Sequence, residues 1–263
     1  MSFETFIDTL ELELPDIIRE IAKQYNIQYF IDNPDFLEKR LEKWHQFGLL
    51  SHTKKVRKIF RNELNTILKE WGILEQVDKF LSEKIDGVEK RKLLELSILL
   101  HDLGKILAAQ NEEYNREHEA LSRVLLYREF LKQKLFHLNL TDKQVYYLAR
   151  CIEIHDVIGK QIRDRLKEKG NLNLTYLSSD EVIKMCKELM LRYHRIKSEV
   201  GILFLCDSLG KTDIRINART DQELLQKEII ETLKQKNLNP ELKYAVMQLP
   251  LNIKLVEIYL KSI

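Results

Sequence analysis

Glycine and proline are scarce in this chain, eight and four residues out of 263. Tight hairpins depend on the positive φ of one and the fixed φ of the other, so the shortage argues against a β-hairpin architecture. Cysteine is scarcer still: Cys151, Cys186 and Cys206 are odd in number, far apart and set in apolar segments. That pattern excludes a disulfide scaffold and reads as buried thiols in a reducing compartment, so a cytoplasmic location is expected. No sign of charge dominates. Forty-three Lys and Arg stand against 41 Asp and Glu, which leaves no global field to recruit nucleic acid or an anionic membrane. The longest apolar runs, Val200–Cys206 for instance, span seven residues, whereas crossing a bilayer takes roughly 18. The opening MSFETFIDTLELELPD has no basic stretch leading into an apolar one, so no secretory signal is expected. Flexible Gly/Ser/Pro linkers and repeats of fixed period are also missing.

What is abundant is Leu, Glu, Lys and Ile, with 44% apolar content. These are the residues of long helices around a large core, so an all-α, single-domain fold is expected. Helix-period apolar spacing falls at about 15–25, 34–47, 51–71, 74–84, 88–103, 115–135, 141–156, 178–193, 195–209, 220–236, 240–248 and 251–262. Start signals accompany several of them: Asn33 before Pro34, Thr141 with Gln144, Ser179 near Glu181, and Asn239 before Pro240. We divide the chain into an N-terminal helical extension (1–49), a central body (50–212) and a C-terminal helical extension (213–263). The polar turn 167–179 and the segment 211–220 are its softest points.

Several polar residues stand where an apolar side chain is expected. The segment LLELSILLHD is apolar nearly all round and ends in His101 and Asp102. Burying that carboxylate costs several kcal/mol or more without a partner or a metal. His155 closes a stripe of Val145, Leu148, Ala149 and Ile152, and Asp207 closes one of Ile196, Val200, Leu203 and Phe204. His52 heads the stripe Val56, Ile59, Phe60, Ile67 and Trp71, and His118 heads Leu121 and Leu125. Periodicity alone does not select these residues, because His45 and His194 pass the same test. We read His45 as a boundary residue, His194 as partly exposed and His137 as a loop residue.

The ordered set His52, His101-Asp102 with Gly104 and Lys105, His118-Glu119, His155 and Asp207 resembles the HD-domain superfamily of metal-dependent phosphohydrolases. The match runs over residues 52–207. Within that superfamily LLHDLGK, EHEALS and FLCDSLGK look most like the HD module of bacterial tRNA nucleotidyltransferases and its stand-alone relatives. The nucleotidyltransferase head, with its Gly-Gly motif and Asp-x-Asp pair, has no counterpart here. DVIGK after His155 departs from the cyclic-di-GMP phosphodiesterase branch, and HDLGK lacks the acidic pair of guanosine tetraphosphate hydrolases.

The resemblance implies an HD-type helical bundle with one or two divalent ions. His52, His101, Asp102 and Asp207 would hold the first ion; His118, His155 and a bridging Asp102 would hold the second. Mixed imidazole and carboxylate ligands suit Fe, Mn, Co, Ni or Zn better than Mg. Two such ions would outweigh the carboxylates, attract a phosphate anion and generate hydroxide near neutral pH. The implied activity is hydrolysis of a nucleotide or related small phosphoester, a phosphomonoester or phosphodiester, with Asp102 and Lys105 in the catalytic machinery. Lys105, Lys211 and Arg215 are candidates for binding the substrate phosphate, and Arg219 continues their spacing. Glu119 and Asp156 are candidates for orienting the imidazoles, and loops 106–116 and 158–178 for setting specificity. A catalytically silent module that binds RNA or a regulatory nucleotide is the alternative, although neither a basic stripe nor an aromatic platform supports nucleic acid. A diiron oxygenase would use the same ligands. DSLGKTD is not a phosphate-binding loop, since Leu205 stands where that motif needs glycine.

Overall fold

The computed structural model describes residues 2–110, 117–216 and 222–263. The fold is all-α. Helix α1 (Phe3–Gln24) starts at Ser2, whose side chain accepts from the Thr5 amide, and buries Phe6, Ile7, Leu10, Leu14, Ile17, Ile18 and Ile21 along one face. It begins well before the expected residue 15. Pro15 sits inside it, because the apolar stripe continues on both sides and packing outweighs one lost backbone bond.

After the short α2 (Gln28–Asp32) the chain departs from expectation. Residues 34–47 are not a helix but an irregular strap with one 3-10 turn, Lys39–Leu41. Its polar groups are used to anchor it elsewhere. The Asp35 carboxylate accepts from the Ser51 amide at 2.7 Å and the Ser51 hydroxyl at 2.5 Å, capping the next helix from outside. Gly48 makes this approach possible, since a Cβ there would lie 1.7 Å from the Asp35 carbonyl oxygen. The Gln46 amide donates to the Lys211 carbonyl, and the Gln46 side-chain oxygen accepts from Thr212 and from the Asp213 amide.

The expected helix 51–71 divides into α3 (Leu49–Asn62) and α4 (Leu64–Glu70), followed by α5 (Leu74–Leu81). A two-residue antiparallel ladder, β1 (Lys84–Ile85) with β2 (Val88–Glu89), turns through Asp86 and Gly87, both at positive φ. This small hairpin departs from the all-helical expectation, although Asp-Gly is its usual signal. The buried α6 (Lys90–Leu100) and short α7 (Gly104–Ala108) lead to α8 (His118–Leu126), α9 (Glu129–Leu135) and α10 (Asp142–Ile154), the last opened by a capping box between Thr141 and Gln144. The region 158–178, expected as loop, coils into a π turn, Gly159–Arg163, then α11 (Asp164–Glu168) and α12 (Leu174–Leu177).

Helices α13 (Asp180–Arg192), α14 (Lys197–Gly210), α15 (Gln222–Gln235) and α16 (Lys243–Lys261) complete the chain. Two expected helices merge in α16 across Pro250. Helix α14 is buried from Ser198 to Gly210 and packs against α3, α10 and α16. One core joins α1, α3, α6, α10, α14 and the second half of α16; Ile214, Leu225, Ile229, Leu233, Leu242 and Val246 form a smaller cluster. Among the described residues no helix is long and apolar enough to cross a membrane.

Candidate metal centre

The six residues selected as ligands meet at one point inside the main core. His52 comes from α3, His101 and Asp102 from the turn that ends α6, His118 from the first residue of α8, His155 from the end of α10 and Asp207 from α14. All are buried except His118, which is about one-sixth exposed at its side chain. Backbone carbonyls orient three of the rings. Nδ1 of His52 donates to the Gly210 carbonyl at 3.2 Å, Nδ1 of His101 to Ile98 at 2.6 Å, and Nδ1 of His155 to Ile152 at 2.7 Å. A carbonyl can only accept, so each ring carries its proton on Nδ1 and turns the Nε2 lone pair inward.

Those lone pairs face other acceptors. His52 Nε2 lies 3.1 Å from Asp207 Oδ1 and 3.3 Å from Asp102 Oδ2. His101 Nε2 lies 3.3 Å from Asp102 Oδ2 and 3.9 Å from Asp207 Oδ1. On the other side, His118 Nε2 is 3.3 Å from both Asp102 Oδ1 and His155 Nε2. The ligand atoms fall into two groups, His52, His101, Asp102 and Asp207, and Asp102, His118 and His155, each with all atoms within 4.8 Å of one another. Asp102 belongs to both, Oδ2 facing the first group and Oδ1 the second.

This donor set fits divalent cations. His101 Nε2 and Asp102 Oδ1 are buried without a hydrogen-bond partner among the described residues, a costly state for polar atoms. Ligands about 2.1 Å from one ion stand roughly 3.0–3.4 Å apart, close to the spacings here. His52 can satisfy the Gly210 carbonyl and both carboxylates only as an imidazolium or with a cation between them. The buried His/Asp cluster is therefore able to hold metal.

The electrostatics agree. Burial pushes the Asp102 carboxyl up, but His101 and Lys105 outweigh it and hold it well below the ordinary range. Asp207 is likewise held well below, with Lys211 and His52 overcoming burial. His52 and His118 are raised, because their neighbouring carboxylates outweigh burial. His155 is pushed down to about 4, chiefly by burial and then by His101.

Two lysines complete the rim. Lys105 Nζ lies 2.6 Å from Asp102 Oδ2 and Lys211 Nζ 2.8 Å from Asp207 Oδ2. Arg215 is engaged elsewhere, since its guanidinium donates to the carbonyls of Leu209, at 2.7 Å, and Thr212, closing the end of α14. Arg219 lies outside the described residues. Glu119 is buried 3.7 Å from His118 Nδ1 and accepts from Lys160 at 2.7 Å. Asp156 is near Arg163, 3.8 Å away, and it is the Ile152 carbonyl that orients His155.

The main correction concerns His45. Read from sequence as a boundary residue, it is buried, stands edge-to-face against His52 with ring centroids 4.9 Å apart, and has Nε2 3.5 Å from Lys105 Nζ. Helical periodicity admits His45 and exposed His194 alike and so could not single it out; His45 lies on the non-helical strap, and the contacts that bring it to the centre are long-range. His194 and His137 are exposed. Comparison of the chain with protein families, with curated proteins and with solved structures finds no match.

Proposed function

We propose that the protein is a metal-dependent phosphohydrolase of the HD-domain type, acting in the cytoplasm on a nucleotide or another small phosphoester. The observation that carries this reading is the shared carboxylate: Asp102 stands between two buried ligand groups, each completed by imidazoles whose lone pairs point inward. Such an arrangement suits a pair of divalent ions flanking one reacting group. Fe, Mn, Co, Ni or Zn would supply Lewis acidity there, lowering the pKa of coordinated water towards 7 and withdrawing charge from a phosphoryl oxygen.

The chain's own residues do the rest. Lys105 and Lys211 carry ammonium groups at the rim, attached to ligand carboxylates and within reach of an anion that approaches the centre. The carbonyls of Ile98, Ile152 and Gly210 hold three rings in the ligating tautomer. The surrounding Leu and Ile side chains keep the centre dry, which strengthens each charge interaction.

Metal analysis of protein purified without added metal, run beside a panel of phosphomonoesters, phosphodiesters and nucleotides, tests the proposal. Up to two equivalents of transition metal are expected, with hydrolysis of at least one phosphoester class. Both should vanish together in a folded Asp102→Ala variant. Folded wild-type protein that takes up no metal under any supplementation would return the chain to the alternative of a silent regulatory module.

A further inference from the structure

Directly after His155 and Asp156 the chain enters the π turn Gly159–Arg163, a rare form that recurs at functional sites. The turn touches two helices that carry ligands. Near its start Lys160 donates to Glu119 of α8 at 2.7 Å, next to His118. At its end the Arg163 guanidinium lies over the ring of Phe204, 5.7 Å from the centroid, and Phe204 precedes Asp207 by three residues on α14. Gly159 allows this closure, since a Cβ there would stand 2.2 Å from Asp156 Oδ1 and 2.8 Å from Arg163 Nη2.

Arg163 is poorly satisfied where it stands. Its side chain is only 12% exposed, yet among the described residues its hydrogen bonding is confined to Nε, which donates to Asp164 at 2.9 Å. Asp156 Oδ1 is 3.8 Å from Nη1, beyond hydrogen-bond range. The terminal N–H groups of the fork are left without an acceptor, a costly state for a cation so far withdrawn from water. The guanidinium also stands in the field of the centre. Burial pushes Lys211 down, but Asp207 and Asp156 outweigh both burial and the repulsion of Arg163. Arg163 is held up against burial by Asp156, Asp164 and Asp207. Once a cation claims Asp207, which lies 2.8 Å from Lys211 Nζ, two neighbouring cations share a weakened counter-charge, and an arriving anion restores it.

We propose that Arg163 binds the phosphoryl group of the substrate and that it thereby selects phosphomonoesters over phosphodiesters. The proposal rests on the phosphohydrolase reading, which brings the phosphoryl end to the His/Asp centre. A guanidinium fork matches two oxygens of one phosphate. A diester offers only two non-bridging oxygens and a single negative charge, and the two ligand groups on either side of Asp102 claim these when loaded. A monoester brings a third oxygen and a second charge, which are what the unfilled donors of Arg163 require. Arg163 falls in the segment 158–178 expected from sequence to set specificity, but its spacing does not mark it; the π turn and the contact with Phe204 place it.

Calorimetric titration of manganese-loaded protein with methylphosphonate and with its monomethyl ester tests this without turnover, at a pH that makes methylphosphonate a dianion. The first ligand stands for a monoester and the second for a diester. Wild type is expected to bind methylphosphonate at least about 10-fold more tightly. Arg163→Gln should weaken methylphosphonate by at least about 10-fold and its ester by about threefold or less. Arg163→Lys, which keeps the charge and loses the fork, should fall between wild type and Arg163→Gln. Manganese affinity and the circular dichroism spectrum should stay as in wild type. Equal affinity of wild type for the two ligands, or an Arg163→Gln variant that weakens both alike or neither, overturns the assignment and leaves the phosphohydrolase reading standing. Loss of manganese affinity or of the fold in both variants overturns it too, because Arg163 would then be a support of the turn. Failure of manganese-loaded wild type to bind either ligand overturns both proposals.

Discussion

At the scale of single residues, Asp102 and Asp207 are both buried carboxylates held ionised, yet they serve different numbers of ligand groups. Asp102 presents one oxygen to each group, whereas Asp207 faces only the first. Asp102→Asn should therefore weaken both metal equivalents by more than about 100-fold each, while Asp207→Asn weakens one and spares the other. Metal titration with two resolved sites checks the difference; equal effects of the two variants would mean that the groups do not act as a bridged pair. The histidines add a pH dependence whose sign follows from the raised values of His52 and His118. A cation must displace the proton that the raised ring of its own group retains, so metal affinity should fall as pH drops below these raised pKa values, by up to about 10-fold per pH unit for each ion. Above those values it should level off. His155, at about 4, is already neutral and adds nothing to the slope near neutrality. In metal-free protein the signs reverse: stability from the ionised pairs of His52 and His118 is complete below the unfolded histidine pKa and disappears as pH rises through the folded values. Metal titrations and denaturant melts between pH 5.5 and 8.5 should thus move in opposite directions.

Between residues and the whole molecule stand the helix contacts, and Gly104 is the clearest point at which one sets site geometry. A Cβ there would lie 2.1 Å from the His118 carbonyl oxygen and 2.5 Å from the Ser122 amide, while the Gly104 amide donates to Ser122 Oγ at 2.7 Å. Gly104→Ala must push α7 away from α8, and α8 carries His118. Overpacking of this kind costs roughly 1–3 kcal/mol. We expect that loss in denaturant melts together with weaker binding of the metal held by His118 and His155, the His52 group being little changed. A loss of stability with both metal affinities intact would show that α8 repacks without moving its ligand. The same scale shows what the sequence makes legible. Inward stripes ending in His155 and Asp207 are readable because helical periodicity is local. The strap is not. Residues 34–47 carry apolar residues at helical spacing, but Asp35, Arg40 and Gln46 find long-range partners that outweigh an isolated helix. Pro15 and Pro250 mislead in the opposite sense, since buried faces continue across them.

Across the whole molecule, metal binding and folding should be coupled, because the ligands come from five helices that share one core. Helix α1 belongs to that unit although it contributes no ligand. Arg57 of α3, itself buried, binds Glu95 of α6 at 2.8 Å and reaches Asp8 and Glu11 of α1. Disturbing the centre therefore disturbs the body. A cation that binds only the folded chain stabilises it by about 2.7 kcal/mol at 100 times its dissociation constant. For a chain of this length that corresponds to a Tm increase of roughly 5–10 °C. Scanning calorimetry of metal-free protein with and without added manganese should show a shift of that size in the main transition. Asp102→Asn should show almost none, at any metal concentration that leaves the protein soluble. A wild-type Tm indifferent to every divalent ion tried would mean that the buried lone pairs are satisfied by protons alone, and the coupling inferred from the shared core would fail with the metal centre itself.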